Sequence, residues 1–245
     1  MRFFILVSLF LQLYFIHARS LLLPEDKALL GIKSAITDDP HNSLSSWSST
    51  THHCTWAGVV CSSAPNRHVI SLNISFLGLT GTLSPDIGFL GNLQNLDLGG
   101  NTLSGEIPKS LSQLNNLIQM NLSQNELHGS IPEGIGDFPK LKTLDLSMNH
   151  LSGSVPRKLG TNGKLQFLDL SGNNLTGDLL QSLGSCQSLI QIYMDENMLS
   201  GSIPKGLFGL PNLTHVNLRD NLLSGGFPET RDSVALNLSN NELSG

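Results

Sequence analysis

LQNLDLGGNTLSGEIP, from Leu93 to Pro108, returns at Leu117 as LIQMNLSQNELHGSIP, at Leu141 as LKTLDLSMNHLSGSVP and at Leu165 as LQFLDLSGNNLTGDLL. It returns again at Leu189 as LIQIYMDENMLSGSIP and at Leu213 as LTHVNLRDNLLSGGFP, each copy starting 24 residues after the last. An imperfect earlier copy begins at Val69, with Leu77 where the others carry Asn, and a shortened one ends the chain. A fixed period of this length is the mark of a solenoid, in which each unit buries its apolar face only by stacking on its neighbours.

Each position of the unit has a physical reading. In LxxLxL the leucines alternate inward and the residues between them outward, which predicts one short parallel strand per unit and a parallel concave sheet on stacking. Beyond the strand the chain must bend, leaving backbone groups without ladder partners. An Asn at 101, 125, 149, 173, 197 and 221 offers a carbonyl and an amide, so an interior row of these side chains can bond such groups between coils. Gly105, Gly129, Gly153, Gly177, Gly201 and Gly225 are expected to form the following turn at positive φ. Pro108, Pro132, Pro156, Pro204 and Pro228 then set an extended return segment. The fourth unit replaces the apolar-Pro pair by Leu179-Leu180, which predicts a local irregularity. Cys186 falls on the position of Leu90, Leu114, Phe138 and Leu210 and is expected to be a buried, small apolar side chain.

Composition narrows the function classes. The 245 residues carry only 13% charged and 6% aromatic side chains with 24 glycines, as expected of many small similar units. A net charge of -5 and 14 scattered Lys and Arg residues argue against nucleic-acid binding. Residues 1–20 read as a secretory signal: Arg2 as the positive end, Phe3 to Ile16 as the apolar run and Ala18-Arg19-Ser20 as the cleavage site. The rival reading is a membrane anchor, but this apolar run is short of the roughly 20 residues a spanning helix needs, and no other run in the sequence could span a bilayer. Export favours oxidised cysteines, and the six residues between Cys54 and Cys61 suit a local disulfide. The neighbouring His52 and His53 raise zinc as an alternative, but three consecutive side chains converge poorly on one tetrahedral ion. No nucleophile elbow, carboxylate pair or metal site emerges, so no cofactor and no enzymatic activity are expected.

The stretch before the repeats has its own organisation. Glu25 to Ile36 reads as an amphipathic helix with Ala28, Leu29, Ile32 and Ile36 on one face, followed by SLSSW ending at Trp47 and by CTWAGVVC from Cys54 to Cys61. This helix, the SSW element and the C-x-W-x-G-V-x-C box, running into LSGxIP repeats, resemble the N-terminal cap of plant leucine-rich-repeat receptors. RHVISLNISFLGLTGTLSPDI, from Arg67, and GSIPKGLFGLPNLTHVNLRDNLLSGGFP, from Gly201, are similar to the CLAVATA/BARELY ANY MERISTEM group of receptor-like kinases. The resemblance implies an α/β solenoid: a right-handed leucine-rich-repeat superhelix with a parallel concave sheet and a helical, disulfide-bonded cap. It places the cap at residues 21–68 and the repeats at residues 69–245. It also implies an extracellular ligand-binding region that perceives a secreted peptide, with a co-receptor ectodomain as a further partner. The membrane helix and Ser/Thr kinase of such receptors would lie downstream, since the sequence contains neither a Gly-rich loop nor HRD. The stop inside a repeat at Leu243-Ser244-Gly245 reads as that of a fragment, because a solenoid needs a polar terminal cap.

Outward strand positions decide what such a surface binds. In the early units they are bland: Asn95, Asp97 and Gly99, then Gln119, Asn121 and Ser123, then Thr143, Asp145 and Ser147. Their character changes with Phe167 and Asp169, then Gln191, Tyr193, Asp195 and Glu196, then His215, Asn217, Arg219 and Asp220. Aromatic and Arg side chains on a rigid sheet dominate binding hot spots. Phe167, Tyr193, His215 and Arg219 are therefore candidate peptide contacts, with Asp195 and Glu196 meeting a basic group; the bland reading is an ordinary polar solenoid face. Sequons stand at Asn73, Asn121, Asn174, Asn212 and Asn237. Glycans at Asn73, Asn121 and Asn237 would obstruct both ends of the concave face and leave its middle open. Two other readings use the same repeats: a secreted defence protein inhibiting microbial cell-wall hydrolases, and a short co-receptor ectodomain, which would be capped after about five repeats.

Overall fold

In the computed structural model the described residues are 24–179, 181–227, 229 and 234–244. Residues 1–20, read above as a secretory signal, lie outside them, as do Leu180 and Pro228. The LxL segments form the inner sheet of nine strands, running from Val59–Cys61 and Val69–Asn73 through Asn95–Asp97, Gln119–Asn121, Thr143–Asp145, Phe167–Asp169, Gln191–Tyr193 and His215–Asn217 to Ala235–Asn237. Its repeat strands are parallel and strictly in register: Leu96, Met120, Leu144, Leu168, Ile192 and Val216 are successive partners. All six are buried, so alternation alone orients every strand. Val59–Cys61 closes the N-terminal edge by pairing antiparallel with Val69–Asn73.

A second sheet was not anticipated. The segments Thr80–Thr82, Thr102–Glu106, Glu126–Ser130, His150–Ser154, Asn174–Asp178 and Met198–Ser200 pair in parallel, and Ile36–Asp38 joins Thr80–Thr82 antiparallel as the seventh strand of the sheet. The repeat glycines take the expected positive φ, for example +84° at Gly105 and +74° at Gly153. Gly105, Gly129, Gly153, Gly177 and Gly225 do so inside strands and not in free turns, while Gly201 follows directly on Met198–Ser200. Stacking sets these segments at strand spacing, so their N–H and C=O groups satisfy one another, and glycine supplies the bend within the strand.

Short 3-10 helices complete the coils, at Pro85–Phe89, Lys109–Gln113, Glu133–Asp137, Gln181–Ser185 and Leu207–Gly209. Each buries one apolar residue or more, such as Leu111, Ile135 and Leu183. The irregularity expected at Leu179-Leu180 does not disturb the described neighbours: Leu179 is buried, Asn174–Asp178 stays in register and a 3-10 helix follows. The coil that departs is the preceding one, where Asn162 stands on the row of Phe138 and Cys186. There Asn162 Nδ2 bonds the carbonyls of Phe138 at 2.9 Å and Leu141 at 3.0 Å, between Gly160 and Gly163, both at positive φ. Cys186 on the same row is a buried free thiol, pushed up in pKa by that burial.

The asparagine row binds one coil to the next. Asn149 Nδ2 lies 3.0 Å from Leu122 O in the previous coil and 3.2 Å from Leu146 O in its own, while Oδ1 accepts from Leu127 N at 3.0 Å. Leu122 O also accepts from Asn125 at 3.1 Å, so each such carbonyl is shared by two asparagines and the ladder is continuous. Asn101, Asn125, Asn173, Asn197 and Asn221 repeat this pattern, all 6–8% exposed.

The cap starts with helix α1, Pro24–Ser34, which buries Ala28, Leu29 and Ile32. Ile36 is not on that helix. Thr82 N donates to Ala35 O at 3.0 Å, and Ile36–Asp38 pairs antiparallel with Thr80–Thr82, so sheet bonding ends the helix early. Cys54 and Cys61 are joined in a disulfide with Cα atoms 5.6 Å apart. Trp47 is buried, stacks on Trp56 at 5.7 Å between centroids and donates Nε1 to Ala57 O at 2.8 Å. Lys33 Nζ reaches Leu44 O and Trp47 O at 2.8 and 2.9 Å, tying α1 to the loop. His52, His53 and Cys54 do lie together, but the Cys54 sulfur is consumed by the disulfide and His53 Nδ1 is held 2.6 Å from Asp26. The donor set left over does not fit zinc.

Candidate ligand-binding face

Eight concave positions form one row across the inner sheet: Asn73, Asp97, Asn121, Asp145, Asp169, Tyr193, Asn217 and Asn237. Seven carry an Asx side chain, and its Oδ1 accepts from the backbone N–H two residues on, at 3.0 Å for Asp145 and Asp169 and 3.3 Å for Asn217. These side chains secure the bend after each strand. Tyr193 alone gives up that bond. Its ring lies 5.9 Å from that of Phe167, and both are half-buried, with an aromatic surface left facing the concave side.

The register places Phe167 beside Gln191, Gln191 beside His215, and Asp169 beside Tyr193. His215 is exposed, with Nδ1 2.9 Å from Thr214 Oγ1. A shallow hollow of about 240 Å³ opens beside Tyr193 and His215, lined also by Asn217, Ala235, Leu236 and Asn237. Ala235 and Leu236 were not singled out in the sequence, because the closing coil is shortened and breaks the 24-residue register, and Asn237 stood out there only as a sequon.

The strand assignment of Glu196 needs correcting, and Arg219 has a partner of its own. Glu196 is not a strand residue: it sits at φ +54° in the turn beyond, on the row of Gln124, Met148 and Asp220, and marks the rim of the face. Arg219 is not a free cation, because its Nε lies 2.7 Å from Asp220 Oδ2. Half-buried Asp195 does face the patch. Its carboxyl is raised above the ordinary range by burial, with Glu196 and Asp220 adding to the rise and Arg219 opposing it. Asp169 is also raised, first by burial and then by Asp145 and Asp195, against the bonds from Ser171. Burial first, and neighbouring carboxylates after it, thus disfavour the charged form of both acids on the floor of this face.

The burial of Asp169 makes a stability prediction. A raised acid is most favourable to the fold when protonated, so its contribution is present at low pH and is lost as pH rises through the folded-state pKa. Asp169→Asn keeps the Oδ1 acceptor, as Asn121 and Asn217 do on this row, and removes the charge. Its unfolding free energy should therefore exceed that of the parent at neutral pH and converge with it in acid, measured by urea titration across pH. Equal curves at all pH values would contradict the burial argument.

The sequon residues divide by geometry. Asn73 and Asn237 are exposed, whereas Asn121 is half-buried and donates Nδ2 to Asp97 Oδ1 at 3.0 Å. Asn237 lines the hollow itself, so a glycan there would fill the patch and not merely flank it. Asn174 opens an outer strand and is exposed; Asn212 is exposed with Nδ2 on Gln187 O at 2.9 Å.

Comparison with known families places this architecture. A leucine-rich-repeat N-terminal domain matches residues 22–62, and leucine-rich-repeat models match residues 91–151 and 164–186, together just over half of the chain. The chain is a leucine-rich-repeat protein. Among curated relatives of this leucine-rich-repeat chain, the LRR receptor-like serine/threonine-protein kinase SIK1 of Oryza sativa subsp. japonica is 46% identical over 77 residues, 31% of this chain and 8% of the relative. The crystal structure of PEPR1-AtPEP1 superposes with a TM-score of 0.82 at 33% identity, over 89% of this chain and 31% of that one. The LRR ectodomain of the plant membrane receptor kinase GASSHO1/SCHENGEN3 from Arabidopsis thaliana, solved in complex with CASPARIAN STRIP INTEGRITY FACTOR 2, gives 0.72 at 35% identity, over 88% and 30% of the two chains. The leucine-rich-repeat chain thus spans less than a third of these receptors. Among its described residues no helix is long and apolar enough to cross a membrane.

Proposed function

We propose that this leucine-rich-repeat chain is the extracellular ligand-binding region of a plant receptor-like kinase and perceives a secreted peptide on its concave face. The observation that carries the reading is Tyr193, which interrupts a row of turn-securing Asx residues to set an aromatic surface beside Phe167. Phe167, Tyr193 and His215 supply the contacts, and Asp195, with Asp169 behind it, receives a basic group of the peptide. Glu196 and the Arg219–Asp220 pair form the rim. The likeness to PEPR1-AtPEP1 and to a receptor ectodomain solved with a bound factor supports the reading.

Residues 1–20 are assigned to a cleaved secretory signal, 21–68 to the cap and 69–245 to the repeats. The subgroup proposed is CLAVATA/BARELY ANY MERISTEM-like, on the stretches from Arg67 and Gly201, with a co-receptor ectodomain as second partner. Panning the immobilised chain against a displayed library of short random peptides should enrich sequences with a basic residue. Tyr193→Ala should weaken an enriched peptide by about 2 kcal/mol, roughly thirtyfold in Kd. No enrichment, or unchanged affinity in the variant, would remove the concave patch from consideration.

A further inference from the structure

The outer sheet carries a group of side chains that neither the fold nor the concave face uses. Glu106, His128 and His150 are successive partners on Thr102–Glu106, Glu126–Ser130 and His150–Ser154, and Glu126 precedes His128 by two residues on the same strand. All four are exposed. None makes a side-chain hydrogen bond or ion pair among the described residues. Elsewhere the position of His128 is held by Ser104, Ser152, Thr176, Ser200 and Ser224. Of these, Ser104 donates its hydroxyl back to Gly81 O at 3.2 Å, joining coils. His128 instead sets an imidazole directly beside a second one.

We propose that His128 and His150, completed by the carboxylate of Glu106 or Glu126, form a surface site for a divalent transition metal such as Zn2+ or Cu2+. Neighbouring strands stand about 4.8 Å apart, so two in-register imidazoles share one face within reach of a single ion. Their nitrogens must close to about 2.0 Å from the metal, which takes rotation about χ1 and χ2 that exposed side chains permit. Imidazole with carboxylate suits Zn2+ and Cu2+ and not the hard, oxygen-seeking Ca2+ or Mg2+. Two protein nitrogens and one oxygen leave a coordination position open to water. The cap histidines do not compete, since His53 is buried against Asp26 and Cys54 is in its disulfide.

The test uses the untagged chain, stripped with a chelator and titrated with ZnCl2 by calorimetry at neutral pH. One saturable equivalent is expected. His128→Ser, which restores the residue type of the row, and His150→Asn, the residue of the next coil, should each weaken binding at least roughly tenfold, since loss even of an outer partner costs that much. The double variant should lose the site, and His52→Ala should leave it unchanged. Cu2+ bound to the parent should show nitrogen hyperfine splitting from two imidazoles by electron paramagnetic resonance. A parent without a saturable site, an unchanged isotherm in the double variant, or splitting from a single nitrogen would overturn the proposal. Circular dichroism identical to the parent establishes that the variants are folded.

Discussion

Replacing Asn149 by Ala is expected to lower the unfolding free energy by about 3 kcal/mol, because the change strands a buried N–H that nothing else can satisfy. Leu127 N loses its acceptor at 3.0 Å, in a site only 5% exposed at Asn149. The carbonyls suffer less, since Leu122 O keeps Asn125 and Leu146 O keeps Asn173 as donors. Asn149→Asp should be worse at neutral pH: it keeps the acceptor but buries a charge against the carbonyls of Leu122, Leu146 and Ser147. Asn241→Ala supplies the contrast. It holds the same bonds to Leu218 O and Leu223 N, but from a half-buried site where water can replace them, and should cost clearly less. Urea unfolding followed by circular dichroism gives the order; equal losses at 149 and 241 would show that the ladder is not a burial effect.

Trp47→Ala should cost about 4 kcal/mol at the cap, the range for deleting a buried indole. Trp47 is 1% exposed, stacks on Trp56 and supplies the Nε1 bond to Ala57 O; alanine keeps the carbonyl that anchors Lys33 of α1 but removes the ring that holds it in place. Its loss therefore loosens the joint between helix, loop and disulfide together. Because each coil of a solenoid contacts only its neighbours, the damage should appear first as local opening of the N-terminal end. Amide exchange should accelerate in Pro24–Ser34 and Val59–Cys61, while the Phe167–Asp169 strand retains the parent rate. Uniform acceleration along the chain would mean that the cap and repeats unfold as one unit.

What could be read from the residues follows the kind of force involved. The inner sheet was legible because each strand advertises its buried side by apolar alternation, at Leu96 and Leu144 as much as at Ile192. The Asn row was legible because an interior amide has few other uses. The outer sheet was not, since Ser, Thr and Gly at its positions carry no apolar signal and its pairing joins backbones 22 residues apart. Asn162 escaped notice for a related reason: it fills an apolar position by bonding two carbonyls, which spacing alone does not disclose. On the concave face the shift from bland to aromatic residues was plain. That Glu196 belongs to a turn was hidden, because the left-handed position is taken by Gln124, Met148 and Asp220 in other coils without a common side chain.

Interior leucines and asparagines fix the coils and leave one concave strip free, where we place the ligand. Photo-crosslinking a library-selected peptide to the chain, with the attachment sites read by mass spectrometry, tests it most directly. Attachment within Phe167–Asp169, Gln191–Asp195 and His215–Asn217 is the predicted result; attachment to the outer sheet or to the 3-10 helices would contradict it.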